Sequence, residues 1–138
     1  VADDDGTELV ELVLRAARTQ RRRWGDVLAP WALSPHQARA LRVVVTRDGA
    51  RLSDLAGTLH IAPRSATEVA DALQERGLVE RTADPTDRRA VLLRATDEGR
   101  RVQAEVDAAR RADSRELVAR LTAAERAELA RLLRTLLD

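Results

Sequence analysis

The chain has 138 residues, 44% of them hydrophobic and 34% charged, with a formal net charge of +1. That is long enough to bury a core of its own and too evenly charged to grip polyanions by bulk attraction. It has no cysteine, which excludes disulfides, thiolate metal sites and thiol redox sensing.

The longest uninterrupted apolar runs are a few residues, so no signal peptide or membrane span is legible, and a cytoplasmic protein is the expectation. The first residue is Val, as expected of a removed start residue or a trimmed chain. Aromatic residues make up 1%, just Trp24 and Trp31, so an aliphatic core is expected. All 24 basic residues are Arg. Genome composition and selection for bidentate phosphate or guanine contacts both account for that.

In chain order, residues 1–7 read as a frayed acidic start. The spacing then predicts a helix from Glu8 to Ala29. Leu9, Leu12, Val13, Ala16 and Ala17 form one stripe, continued by Trp24, Val27 and Leu28; Gly25 weakens its last turns and Pro30 ends it. Ser34, Pro35 and Gln37 spell an N-cap, a first-turn proline and a capping box. That second helix has Ala38, Leu41, Val44 and Val45 on its apolar face and stops near Asp48-Gly49. Arg51-Leu52 reads as a short strand. Ser53 reads as the cap of a third helix, with Leu55, Ala56 and Leu59 facing in. After a break at residues 60–62, Pro63 opens a fourth helix to about Arg76, with Ala66, Val69, Ala70 and Leu73 inward and Gly77 as C-cap.

Leu78 to Thr82 and Ala90 to Arg94 are predicted strands, joined by a loop from Ala83 to Arg89 that starts as a turn at Asp84-Pro85. Thr96 caps a long helix to about Leu121, marked by Val102, Val106, Ala109, Leu117 and Leu121, with room for a kink in its polar middle. Thr122 and Glu125 form another capping box before a last helix carrying Leu129, Leu132, Leu133, Leu136 and Leu137. No repeat or linker appears, so residues 1–138 read as one unit. The small middle lobe has too little surface to cover such terminal helices, so a two-fold dimer is expected; folding back on the chain's own core is the other solution.

Two short helices, a hairpin and an Arg-bearing tip, in that order, describe a winged helix-turn-helix. The fold class is mainly α with a small β-hairpin wing. In such a device the second helix lies in the major groove and meets bases with its N-terminal residues, here Pro63, Arg64, Ser65 and Thr67. Arg64 suits guanine. Arg88 and Arg89 suit a narrow minor groove, and Asp87 beside them could pair with a guanidinium to hold the tip in shape. Each part alone is compatible with a plain solvated surface.

LSPHQARAL, RLSDLAGTLHIAPRSATEVADALQERGLVER and DPTDRRAVLLRATDEGR together resemble the MarR family of bacterial transcriptional regulators, over roughly residues 8 to 138. Asp87-Arg88-Arg89 matches the family's D-x-R in the wing. The resemblance implies dimerisation helices at 8–29 and 97–137 around a DNA-binding lobe at 34–95, and a homodimer that binds double-stranded DNA at a pseudo-palindromic operator. It also implies repression in most members and, in many, release by a small aromatic or phenolic ligand. It assigns DNA contacts to Arg64, Ser65, Thr67 and Arg89, with Arg88 as a neighbouring candidate and Asp87 as wing anchor. The family's ligand pocket lies between the dimerisation helices and the lobe, where Trp24, Trp31 and His36 would fall, with Arg15 or Arg18 to meet an anion. The alternative is that both Trp side chains fill the core and His36 is a surface residue.

No cofactor or metal is expected. Two His, no Cys and no Gly-rich phosphate loop leave little for catalysis, and Ser34-Pro35-His36 is local capping chemistry. A stronger rival is a dimeric winged-helix module that binds a protein. Residues 51–101 carry nine Arg and nine Asp or Glu, so the presumed DNA lobe is net neutral.

Overall fold

The computed structural model describes residues 6–138; most of the sequence expected to be a frayed start, residues 1–5, lies outside the described residues. Helix α1 spans Thr7–Leu28 and runs into a 3-10 turn at Ala29–Trp31, where Pro30 redirects the chain. Helix α2 spans Pro35–Arg47. Its capping box is formed as the sequence reads: the Gln37 amide donates to Ser34 Oγ and the Ser34 amide to Gln37 Oε1, both at 3.1 Å.

Strand β1 is Ala50–Arg51, one residue earlier than expected. Helix α3, Leu52–Leu59, therefore starts before Ser53. Arg51 holds the cap position, and its amide donates to Asp54 Oδ2 at 3.0 Å. A short polar side chain is not needed where an acid three residues on reaches back. His60 takes a left-handed conformation (φ 54°) and ends α3. Helix α4 spans Pro63–Glu75. Gly77, with φ +72°, lies just beyond its C-cap, Arg76. The Leu78 amide bonds Leu73 O and the Gly77 amide bonds Gln74 O, the paired pattern that closes a helix on glycine.

Strands β2, Val79–Asp84, and β3, Asp87–Ala95, are longer than the sequence suggests, and the turn between them is only Pro85-Thr86. The sheet is antiparallel in the order β1-β3-β2. Residues 83–89 look like loop because they lack apolar alternation, but a hairpin projecting into solvent needs only its ladder and turn chemistry.

Helix α5 spans Asp97–Leu117, four residues shorter than expected and unbroken. Its polar middle docks on α1: Arg23 Nη2 reaches Asp113 Oδ1 at 2.8 Å. Thr96 Oγ1 accepts from the Gly99 amide and donates to Gly77 O. Gly99 lies against the Leu78 carbonyl, whose oxygen would sit 2.0 Å from an added Cβ. Helix α6 spans Ala123–Leu137 behind the expected Thr122–Glu125 box.

The core is aliphatic. Leu28, Leu41, Val44, Leu55, Leu73, Leu93 and Val106 are fully or almost fully buried, with Trp24 and Trp31 packed at the edge. Val45 and Val69, expected inside, are half-buried. Within the chain α1 buries only Leu28 and α6 buries nothing. Leu9, Leu12, Leu117, Leu129, Leu132 and Leu136 all stand exposed. Among the described residues, no helix is long and apolar enough to cross a membrane.

Candidate nucleic-acid interface

Ala66, Ala70 and Leu73 are completely buried, which fixes the roll of α4. Arg64, Thr67 and Glu68 are thereby left on the outer side. Pro63 opens the helix at its first position. The Arg64 side chain is 92% exposed and, among the described residues, its one ion pair is with Glu68, 3.6 Å away. Such a solvated pair yields readily to a better partner. Thr67 donates its hydroxyl proton to Pro63 O at 3.1 Å, leaving a lone pair and a methyl group to face outward. Ser65 is half-buried beside His36 and Gln37.

The wing is an irregular hairpin. Ala83 pairs with Val91 but the next residue, Asp84, pairs with Asp87. Arg88, Arg89 and Ala90 therefore have no opposite number on β2. A bulge re-aims side chains, and both arginines are exposed. Asp87 Oδ1 accepts from the Arg89 amide at 2.9 Å, which shapes the bulge locally.

The carboxylate that pairs with a guanidinium in the wing is Asp84, not Asp87. Asp84 Oδ1 accepts from the Thr86 amide at 2.9 Å and hydroxyl at 2.8 Å. Its Oδ2 accepts from Arg51 Nε at 2.9 Å and Nη2 at 2.5 Å. The Thr86 hydrogen bonds, with the Arg51 guanidinium adding to them, hold the buried Asp84 carboxyl down to about 2. Asp-Pro-Thr signals the turn, but no local pattern reveals a partner 33 residues upstream.

The neutral charge balance of the lobe resolves in space. Arg51 pairs with Asp84, Arg81 with Asp71, Arg94 with Asp48, Arg100 with Asp97, and Arg101 with Glu98 and Glu105. Arg76 donates to the carbonyls of Trp31 and Ala32. Among the described residues, the Arg88 and Arg89 guanidinium groups have no such partner, and Arg64 has only its loose one. Within residues 51–101, among the described residues, the arginines without a close carboxylate or carbonyl partner are Arg64 on α4 and Arg88 and Arg89 at the wing tip; Arg39 and Arg42 on α2 also lack an ion pair but face the cavity against α1 and α5.

The four residues expected to line a ligand pocket do not converge. Trp24 borders a cavity of about 400 Å3 between α1, α2, α3 and α5. Arg15 lies with Arg18 and Arg22 in a shallow depression on α1, about 13 Å along the helix axis from Trp24. Trp31 closes the 3-10 turn and donates its indole N–H to Glu105 Oε2 at 3.0 Å. His36 borders a separate cleft against α4.

Sequence reasoning missed the polar side of the Trp24 cavity. Arg21, Arg39, Arg42 and Arg110 line it with Asp107 as their one carboxylate. The Arg110 guanidinium carbon lies 5.4 Å from the Trp24 ring centroid. Gln103 is buried and donates to Asp107 at 3.0 Å. Gln20 Oε1 is buried without a hydrogen-bond partner. Gln103, Asp107 and Arg110 fall at i, i+4 and i+7, a polar helical face that reads as solvent-exposed until α2 is packed against it.

The MarR family model matches residues 33–91. The chain is 32% identical over 81 residues to an uncharacterized HTH-type transcriptional regulator, YsmB, of Bacillus subtilis (strain 168); the match covers 59% of this chain and 56% of that relative. The chain thus spans little more than half the length of that curated relative. Among solved structures, wild-type apo MarR from E. coli superposes with a TM-score of 0.82 at 27% identity, covering 94% of this chain and 96% of that one. A mutant E. coli MarR complexed with operator DNA superposes with a TM-score of 0.78 at 25% identity, covering 100% and 99%.

Proposed function

The chain belongs to the MarR family, and from that membership we propose that it is a DNA-binding transcriptional regulator and not an enzyme, acting as a homodimeric repressor on a pseudo-palindromic operator. The observation that carries the DNA reading is the placement of charge. Residues 51–101 hold equal numbers of acids and arginines, and among the described residues the arginines there without a close partner are Arg64 on α4 and Arg88 and Arg89 on the wing. Arg64 is free to read a major-groove edge, and the bulged wing presents two guanidinium groups to a minor groove. The exposed leucines of α1 and α6 supply a face for a second copy. Half-sites would then lie about 10 bp apart, or a multiple of that.

The Trp24 cavity is the effector site in this reading. Four guanidinium groups favour an anion, the indole face favours a ring, and Gln20 Oε1 lacks a donor. A small aromatic carboxylate that also carries a hydroxyl group satisfies all three: the carboxylate meets the guanidinium groups, the ring the indole, and the hydroxyl proton Gln20 Oε1. Binding of the purified chain to DNA from its own promoter region, titrated with salt, tests the proposal. Sequence-selective binding whose affinity falls steeply with salt is expected. Absence of such binding would favour a protein-binding winged helix instead.

A further inference from the structure

The wing has a mechanical weakness at the place where it must be stiff. Strand β1 covers β3 only at Leu92 and Leu93. Beyond them the hairpin is a two-stranded ribbon, and its ladder is interrupted after Ala83–Val91. Two strands alone are marginal in water and twist easily. Arg88 and Arg89 sit in the interruption.

One contact bridges it. Asp84, at the outer end of β2 beyond the break, is the wing's buried polar residue. One of its carboxylate oxygens binds the Thr86 amide and hydroxyl, which closes the turn. The other binds Nε and Nη2 of Arg51. Arg51 belongs to β1 and holds the cap position of α3, which packs on α4. A two-nitrogen contact from a planar guanidinium fixes direction as well as distance. The tip is thus tied to the helix pair and not merely to its own strands.

Resting on the DNA-binding reading above, we propose that Arg51 and Asp84 are positioning residues that set the wing's pitch relative to α4, so that Arg88 and Arg89 reach the minor groove while Arg64 reads the major groove. Neither needs to touch DNA.

The test uses the whole chain, with a duplex selected from random-sequence DNA by the wild type as probe. Asp84→Asn keeps an acceptor for Thr86 and removes the charge that binds Arg51. Simple electrostatics predicts tighter DNA binding for a protein made more positive. The anchor predicts the opposite, a loss of about ten-fold, comparable with one lost arginine contact. Arg89→Ala should then cost less than about two-fold in the Asp84→Asn background, because a mispositioned arginine has little left to lose. Unchanged or tighter binding, or an Arg89→Ala penalty equal in both backgrounds, overturns the proposal.

Hydrogen exchange separates this from misfolding and from failure of the DNA reading. Amides of residues 86–91 should exchange faster in Asp84→Asn while those of α2 and α4 keep their rates. Uniformly faster exchange, or unchanged wing rates, counts against the anchor. If the wild type selects no duplex, the DNA reading fails, and these exchange rates alone decide whether the pair holds the wing.

Discussion

Replacing Leu136 by Asp should dissociate the proposed homodimer while leaving the protomer folded. Leu136 is 63% exposed in the single chain, and α6 buries none of its residues there, so this side chain contributes little to the protomer's own core. Full burial of a Leu side chain stabilises by roughly 1.5–3 kcal/mol. The part still to be gained is about 1–2 kcal/mol per copy. Two-fold symmetry places the residue in the interface twice, giving about 2–4 kcal/mol, or about 30- to 700-fold in the dimer dissociation constant. A carboxylate desolvated in the same place adds to the loss. Sedimentation over nanomolar to micromolar concentrations reads that constant, and far-ultraviolet circular dichroism checks that α1 to α5 remain. A dimer as tight as wild type would refute the assignment of α6 to the interface. A monomeric wild type would refute the homodimer altogether.

Other substitutions probe different links of the argument. Arg64→Ala should relax base preference at one position of each half-site, at a cost of about 1–3 kcal/mol, whereas Arg89→Ala should weaken all sequences alike and lower the salt slope by about one; parallel selections with both variants would show the contrast. Gly99→Ala would drive a methyl group to 2.0 Å from the Leu78 carbonyl oxygen; backbone must move, and a loss of about 2 kcal/mol or more is expected in thermal melts. The folded Asp84 carboxyl is depressed from 3.8 to about 2, so its contribution is present above about pH 4 and lost as pH falls toward 2. Asp84→Asn should therefore flatten that part of the acid-unfolding curve. An aromatic carboxylate in the cavity should quench or shift Trp24 emission and weaken DNA binding, and Arg110→Ala, which removes the guanidinium over the indole, should reduce both effects.

Local chemistry was legible without coordinates. Ser34-Pro35-x-Gln37 and Thr122-x-x-Glu125 close capping boxes by their own side chains, so four residues suffice to specify them. The same holds for the inward spacing of Ala66, Ala70 and Leu73, which sets the roll of α4 and exposes Arg64. The ordered motifs extended this to the family and hence to the fold. Where the sequence misled, the deciding partner lay far away or the pattern was silent. Arg51 took the cap position of α3 in place of Ser53, with Asp54 reaching back to its amide, and a polar stretch formed strand because ladder bonds come from backbone, whatever the side chains.

Charge is where sequence and tertiary structure divide most clearly. The sequence determined that residues 51–101 hold as many acids as arginines; it could not say which were neutralised. Packing decided that. It brought Arg51 to Asp84 and Arg81 to Asp71 across separate elements, and left the Arg88 and Arg89 guanidinium groups, among the described residues, in a bulge without a carboxylate partner. It also separated Arg15, Trp31 and His36 from Trp24 and built the cavity around Trp24 with Gln20, Gln103 and Arg110. Local periodicity fixes which face of an element is apolar, because that depends on neighbours three or four residues away. Pairing of charges and closure of a cavity depend on distances between elements, which exist only once the chain has folded.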